Sequence, residues 1–74
     1  MRSFYHYMMR YRGNKQNDGE KQLADWMFGD HSFPKQATSY DEVSRYLEWN
    51  IPFPEALAVF DRVWTQYEIE ELDE

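Results

Sequence analysis

Apolar positions recur at helical spacing in four stretches of this chain, and turn-forming residues separate the stretches. Phe4, Tyr7, Met8 and Tyr11 follow the i, i+3, i+4, i+7 spacing of one buried helix face, and Ser3 is placed to cap its first turn. Gly13 suits the left-handed conformation that commonly ends a helix, so the spacing predicts a first helix over residues 4–12. After the polar connection NKQND, Asp18 is the expected cap of a second helix with Leu23, Trp26 and Met27 on one face and Gly29 just past its end. Ser39 and Glu42 form a capping box ahead of a third helix striped by Tyr40, Val43, Tyr46 and Leu47. Asn50, Ile51 and Pro52 end it. Pro54 suits the first turn of a fourth helix, Glu55 complements its positive end, and Leu57, Phe60, Val63, Trp64 and Tyr67 repeat along the longest element.

The last stretch, EIEELDE, sets five acids near the negative end of the helix dipole. That predicts fraying beyond Tyr67 and a frayed acidic tail over residues 70–74. No strand-like alternation and no internal repeat interrupts the helical pattern. The expectation is a single all-α domain over residues 1–74, with short connections favouring a compact orthogonal bundle over a long up-and-down one.

Length makes the packing problem hard. A domain this small buries only about 60% of its unfolded surface, and with no cysteine and no Cys/His cluster it has neither disulfide nor zinc to compensate. Five Phe, six Tyr and three Trp must supply the core. The start, MRSFYHYMMR, lacks the apolar run of a signal peptide, and no segment is long and apolar enough to span a bilayer. A cytoplasmic protein without a membrane partner is expected.

The formal charge of −6 argues against broad binding to nucleic acid. Its distribution is lopsided: residues 1–36 carry six Lys/Arg against four Asp/Glu, and residues 37–74 carry two against ten. Arg2, His6 and Arg10 are spaced four apart on the first helix, with Arg12 and Lys15 beyond and Tyr5 and Met9 alongside. Such a stripe is either a solvated face or a surface for phosphates or an acidic protein. The acidic half reads as exposed helix positions. Its sharper reading is a patch for head-to-tail contact with the basic helix of another copy, although a monomer is the expected state.

Three patterns invite a chemical reading. Asp30, His31 and Ser32 in FGDHSFPK are the residue types of a hydrolytic triad, but working triads converge in space and three consecutive residues rarely do. A turn tied by Asp30 or Ser32, with Phe33 plugging the core beside Pro34, accounts for the same residues. His31 with His6 falls short of the three or four ligands a zinc site needs. Residues 14–25 approach a calcium-loop pattern, yet Asn14 and Gln16 stand where carboxylates are needed and Asp25 stands where a bidentate Glu belongs. No catalytic residue, metal or cofactor is therefore assigned.

Taken together, SFYHYMMRYR, DHSFPK, SYDEVSRYLEWN and FDRVWTQYE resemble the YozE family, small proteins of Gram-positive bacteria with a SAM-like helical fold. The resemblance runs from about residue 2 to residue 68. It implies a SAM-like bundle of four to five short helices, with Phe33, Pro34, Tyr46, Leu47, Phe60, Trp64 and Tyr67 as its structural signature, and it carries over no catalytic residue. SAM-like bundles elsewhere serve protein association and in some cases nucleic-acid binding, although fold does not fix function. The leading expectation is a non-enzymatic interaction module with an unknown protein partner, using Arg2, Tyr5, His6, Arg10, Arg12 and Lys15 as its candidate surface. The alternative is weak nucleic-acid binding by the same basic face.

Overall fold

The computed structural model describes residues 1–16 and 18–72. In chain order it contains α1 (Phe4–Met8), a 3-10 helix (Met9–Gly13), α2 (Gly19–Gly29), α3 (Tyr40–Trp49) and α4 (Ala56–Leu72), with no strand among the described residues. The caps explain why three of the helices begin where they do. Ser3 Oγ accepts from the His6 amide at 3.2 Å, Asp18 Oδ1 from the Lys21 amide at 2.9 Å, and Ser39 Oγ from the Glu42 amide at 3.5 Å. The radius of gyration is 11.3 Å, matching the roughly 11 Å of a compact chain this long.

Several local expectations need correction. The first helix does not stay α-helical to residue 12; it tightens to 3-10 winding at Met9 and packs on α2. There Arg12 lies over the Phe28 ring at 3.5 Å and pairs with Asp25 at 3.5 Å, a long-range contact that periodicity does not register. Gly13 does not take a positive φ, and the chain leaves through extended Asn14, whose amide bonds to the Tyr11 carbonyl at 3.2 Å. Gly29 is the last residue of α2, also without positive φ, and Asp30 is the cap. Pro54 and Glu55 form the turn before α4, joined to it by the Ala56 amide bonding to the Phe53 carbonyl.

At the acidic end the chain ends of the bundle meet. α4 is helical as far as Leu72, and two of its acids are held: Glu71 by Arg2, and Glu70 by Tyr7 and Arg10. These bonds offset the unfavourable dipole position. The rest of the expected frayed tail, residues 73–74, lies outside the described residues.

α4 packs against α1, α2 and α3 and is the spine of the core. Val59, Phe60, Val63, Trp64 and Tyr67 line its buried side. Phe4 inserts among them, its ring centroid 5.3 Å from Phe60 and 5.4 Å from Tyr67 in edge-on geometry and 5.0 Å from Trp64. From α2 come Leu23, Ala24 and Met27, and from α3 come Val43 and Leu47. Trp26 and Tyr46 are half-buried beside Phe33 and form a second aromatic group with it. Tyr40 is exposed on one side but stacks on Phe60 at 5.3 Å.

One glycine is fixed by packing. A Cβ on Gly19 would meet Val59 Cγ2 at 2.6 Å, so the first turn of α2 comes against α4 as closely as a hydrogen allows. Gly19→Ala should therefore destabilise the fold by about 1–3 kcal/mol through overpacking, although alanine is the better helix former. Urea denaturation checks this, and a more stable variant would show that Val59 moves aside freely. Trp64→Ala should cost about 3–5 kcal/mol and leave a domain of this size largely unfolded; a cooperative melt near the parent Tm would contradict the packing described.

Candidate functional site

The sequence DHSFPK folds as a turn between α2 and α3. The Asp30 carboxylate accepts from the Ser32 amide at 3.1 Å and from the Tyr46 hydroxyl, and the Phe33 amide bonds to the Asp30 carbonyl at 3.2 Å. The bond to Asp30, with burial second, pushes the Tyr46 phenol up to about 12. Phe33 is 3% exposed, with Tyr46, Tyr5 and Trp26 around it, and the Ala37 amide bonds to the Pro34 carbonyl. His31 and Ser32 are exposed, and Asp30 spends its oxygens on the turn and on Tyr46, so these three residues do not converge as a triad.

The other chemical readings meet similar geometry. Asp18 caps α2 and accepts from Asn14, while Asp25 lies between Lys21 at 2.6 Å and Arg12. Lys21 first, and Arg12 more weakly, holds the Asp25 carboxyl below its usual range. Among the described residues no group of three or more His, Cys, Asp or Glu side chains is placed to hold a metal ion.

Arg2, just before α1, and Arg10, in the 3-10 helix, face the end of α4. Arg2 meets Glu71 three times: its amide and Nε reach Oε1 at 2.9 and 3.1 Å, and Nη2 reaches Oε2 at 3.0 Å. Those bonds, from the side chain first and the backbone second, hold Glu71 down to about 2. Arg10 lies over the Tyr7 ring at 4.0 Å and bonds Glu70 at 3.0 Å. Glu70 also accepts from the Tyr7 hydroxyl, the larger cause of its own lowered pKa; burial first, and this bond second, push Tyr7 well above the ordinary phenol value. Tyr67 donates to the Arg2 carbonyl. Tyr5 is half-buried with Lys35 over its ring at 5.4 Å, and His6 and Lys15 are exposed. The structure thus brings Arg2 and Arg10 together with acids from the far end of the chain, turns Arg12 towards α2, and leaves Lys15 on a different connection.

A different surface lies on α3. With Val43 and Leu47 turned inward, helical winding carries Asp41, Arg45, Glu48 and Trp49 to the outer side. Trp49 is 87% exposed, and Ile51, just beyond the helix, is 54% exposed. An open groove runs beside them, lined by Asp41, Glu42, Arg45, Tyr46, Trp49 and Asn50. Among the described residues Asp41, Glu42 and Arg45 make no ion pair. Sequence reasoning passed over this face. The signal was present, since Trp49 falls off the Val43–Leu47 stripe of an amphipathic helix and Ile51 follows it closely.

The profile of a family described as YozE SAM-like fold matches residues 3–69. The chain is similar to the UPF0346 protein YozE of Bacillus subtilis, 47% identical over 70 residues that cover 95% of each chain. A UPF0346 protein of Listeria monocytogenes is 41% identical over 95% of this chain and 91% of its own. The solution NMR structure of the Bacillus subtilis UPF0346 protein yozE superposes with a TM-score of 0.81 at 44% identity, covering all of this chain and 94% of that one. The four-helix, SAM-like architecture is common to both.

The Glu71 clasp predicts acid sensitivity of known sign. Its folded pKa lies below the unfolded value, so its contribution is fully present above about pH 4.5 and is lost as pH falls towards about 2, where the folded carboxylate finally protonates. Thermal melts of Glu71→Gln and the parent across that window should show a lower Tm for the variant at neutral pH and a shallower decline in acid. Parallel declines would place the acid sensitivity elsewhere.

Proposed function

The chain belongs to the YozE SAM-like family, and on that footing we propose that it acts as a non-enzymatic protein-interaction domain. The observation that carries this reading is Trp49, the most exposed large apolar side chain described, standing beside Ile51 on a helix whose other face is fully packed. A domain with so small a core gains nothing in stability from an indole left in water, whereas an aromatic anchor is a frequent centre of protein interfaces. An enzymatic reading has less support, since no nucleophile, base and orienting group converge among the described residues. The phosphate-binding reading of α1 is weakened because Arg10 and Arg12 each sit beside a carboxylate and against an aromatic ring.

Affinity capture from the native cell extract tests the reading with two variants as bait. Trp49→Ala should fold with stability within about 0.5 kcal/mol of the parent, being exposed, and should lose partners that the parent retains. A variant with acids in place of exposed His6 on α1 and Lys15 in the following connection should keep them. Identical capture by the parent and Trp49→Ala would overturn the assignment of the surface.

A further inference from the structure

We infer that the outer face of α3 receives a basic, amphipathic protein segment, with an apolar side chain of that segment on Trp49 and its cations against Asp41, Glu42 and Glu48. The inference rests on the interaction-domain reading and adds the chemistry of the partner.

Charge complementarity carries it. Five of the eight Lys/Arg residues, Arg2, Arg10, Arg12, Lys21 and Arg62, are paired at the surface with four carboxylates of the same chain, Glu71, Glu70, Asp25 and Glu20. That leaves Lys15, Lys35 and Arg45 against eight described carboxylates without an ion pair, and α3 carries three of those carboxylates, Asp41, Glu42 and Glu48, beside its apolar residues. Asp41 and Glu42 line the groove without an ion pair, Glu48 is exposed next to Trp49 at the end of the helix, and Arg45 is the one cation on the helix. Asp41 and Glu42 lie at the start of α3 and Glu48 lies beside Trp49 near its end, with Ile51 just beyond, so a docking segment meets acids along the helix and an apolar anchor at one end.

The same charges discriminate against other occupants. A second copy docking through this face would oppose carboxylate to carboxylate, and the phosphates of nucleic acid or of an anionic lipid surface would be repelled from the same acids. A basic protein segment satisfies both the indole and the acids.

The test is an amide-shift NMR titration of the full chain with three synthetic peptides. One is an amphipathic helix of Lys and Leu, one has the same apolar positions with Glu for Lys, and one has Lys with Ser for Leu. The Lys/Leu peptide is expected to move the Trp49 indole resonance and the amides of residues 41–51 saturably, with the other two far weaker. Neutralising the rim with Asp41→Asn, Glu42→Gln and Glu48→Gln should weaken its binding about tenfold while the chain stays folded. Equal binding of the Glu/Leu peptide overturns the inference, as do shifts confined to the acidic side of α4 around Asp61 and Glu68. If α3 responds to no peptide while Trp49-dependent capture persists, the partner chemistry is wrong and the interaction domain stands. Capture that ignores Trp49 removes the interaction reading itself.

Discussion

Phe4 enters the buried side of α4 edge-on to Phe60 and Tyr67, and its backbone amide at the same time bonds the Ala37 carbonyl at 3.1 Å. A single residue near the start of the chain is thereby locked to the last helix and to the connection that leads into α3. Once it is seated, Tyr67 reaches the Arg2 carbonyl, Glu71 closes on Arg2, and Glu70 meets Tyr7 and Arg10. Those polar contacts are partly shielded and charge-assisted, but they depend on the aromatic wedge for their alignment. In a chain with no disulfide, apolar contact between the two ends does the work of a staple.

That closure reorganises the electrostatics. The basic amino-terminal half and the acidic carboxy-terminal half look in sequence like two opposed patches. Folding sets Arg2 and Arg10 of the first against Glu71 and Glu70 of the second, while Arg12 and Lys21 pair with Asp25 inside the amino-terminal half and Arg62 pairs back to Glu20. The lopsided charge is a device for holding the ends together before it is a surface for anything else. What remains available is α3, where neither the acids of the groove nor Trp49 are engaged.

The three tryptophans divide the labour. Trp64 is core, 6% exposed among Phe4, Phe60 and Tyr67; Trp26 is half-buried and supports Phe33; Trp49 stands in solvent. Helical phase separates the first from the last: Trp64 lies on the packed face of α4, whereas Trp49 lies on the face of α3 opposite Val43 and Leu47. The acidic groove and the indole belong to the same rigid helix, which lets a small domain present a fixed surface without a mobile loop.

Local chemistry was legible from the residues. Ser3, Asp18 and Ser39 cap as their side chains and positions dictate, and Val43, Leu47, Phe60, Val63, Trp64 and Tyr67 face inward because their spacing matches the helical turn. The all-helical class follows, because periodicity and capping act over one or two turns. Contacts across the whole chain were not legible. The 3-10 tightening at Met9 serves packing on α2, the helical end of α4 is held by Arg2 from 69 residues away, and Gly19 is required by Val59. Spacing says which side of a helix is apolar but not which distant side chain will neutralise a charge, and so only the tertiary structure decided that Arg2 and Arg10 are paired with Glu71 and Glu70 while Trp49 stands in solvent.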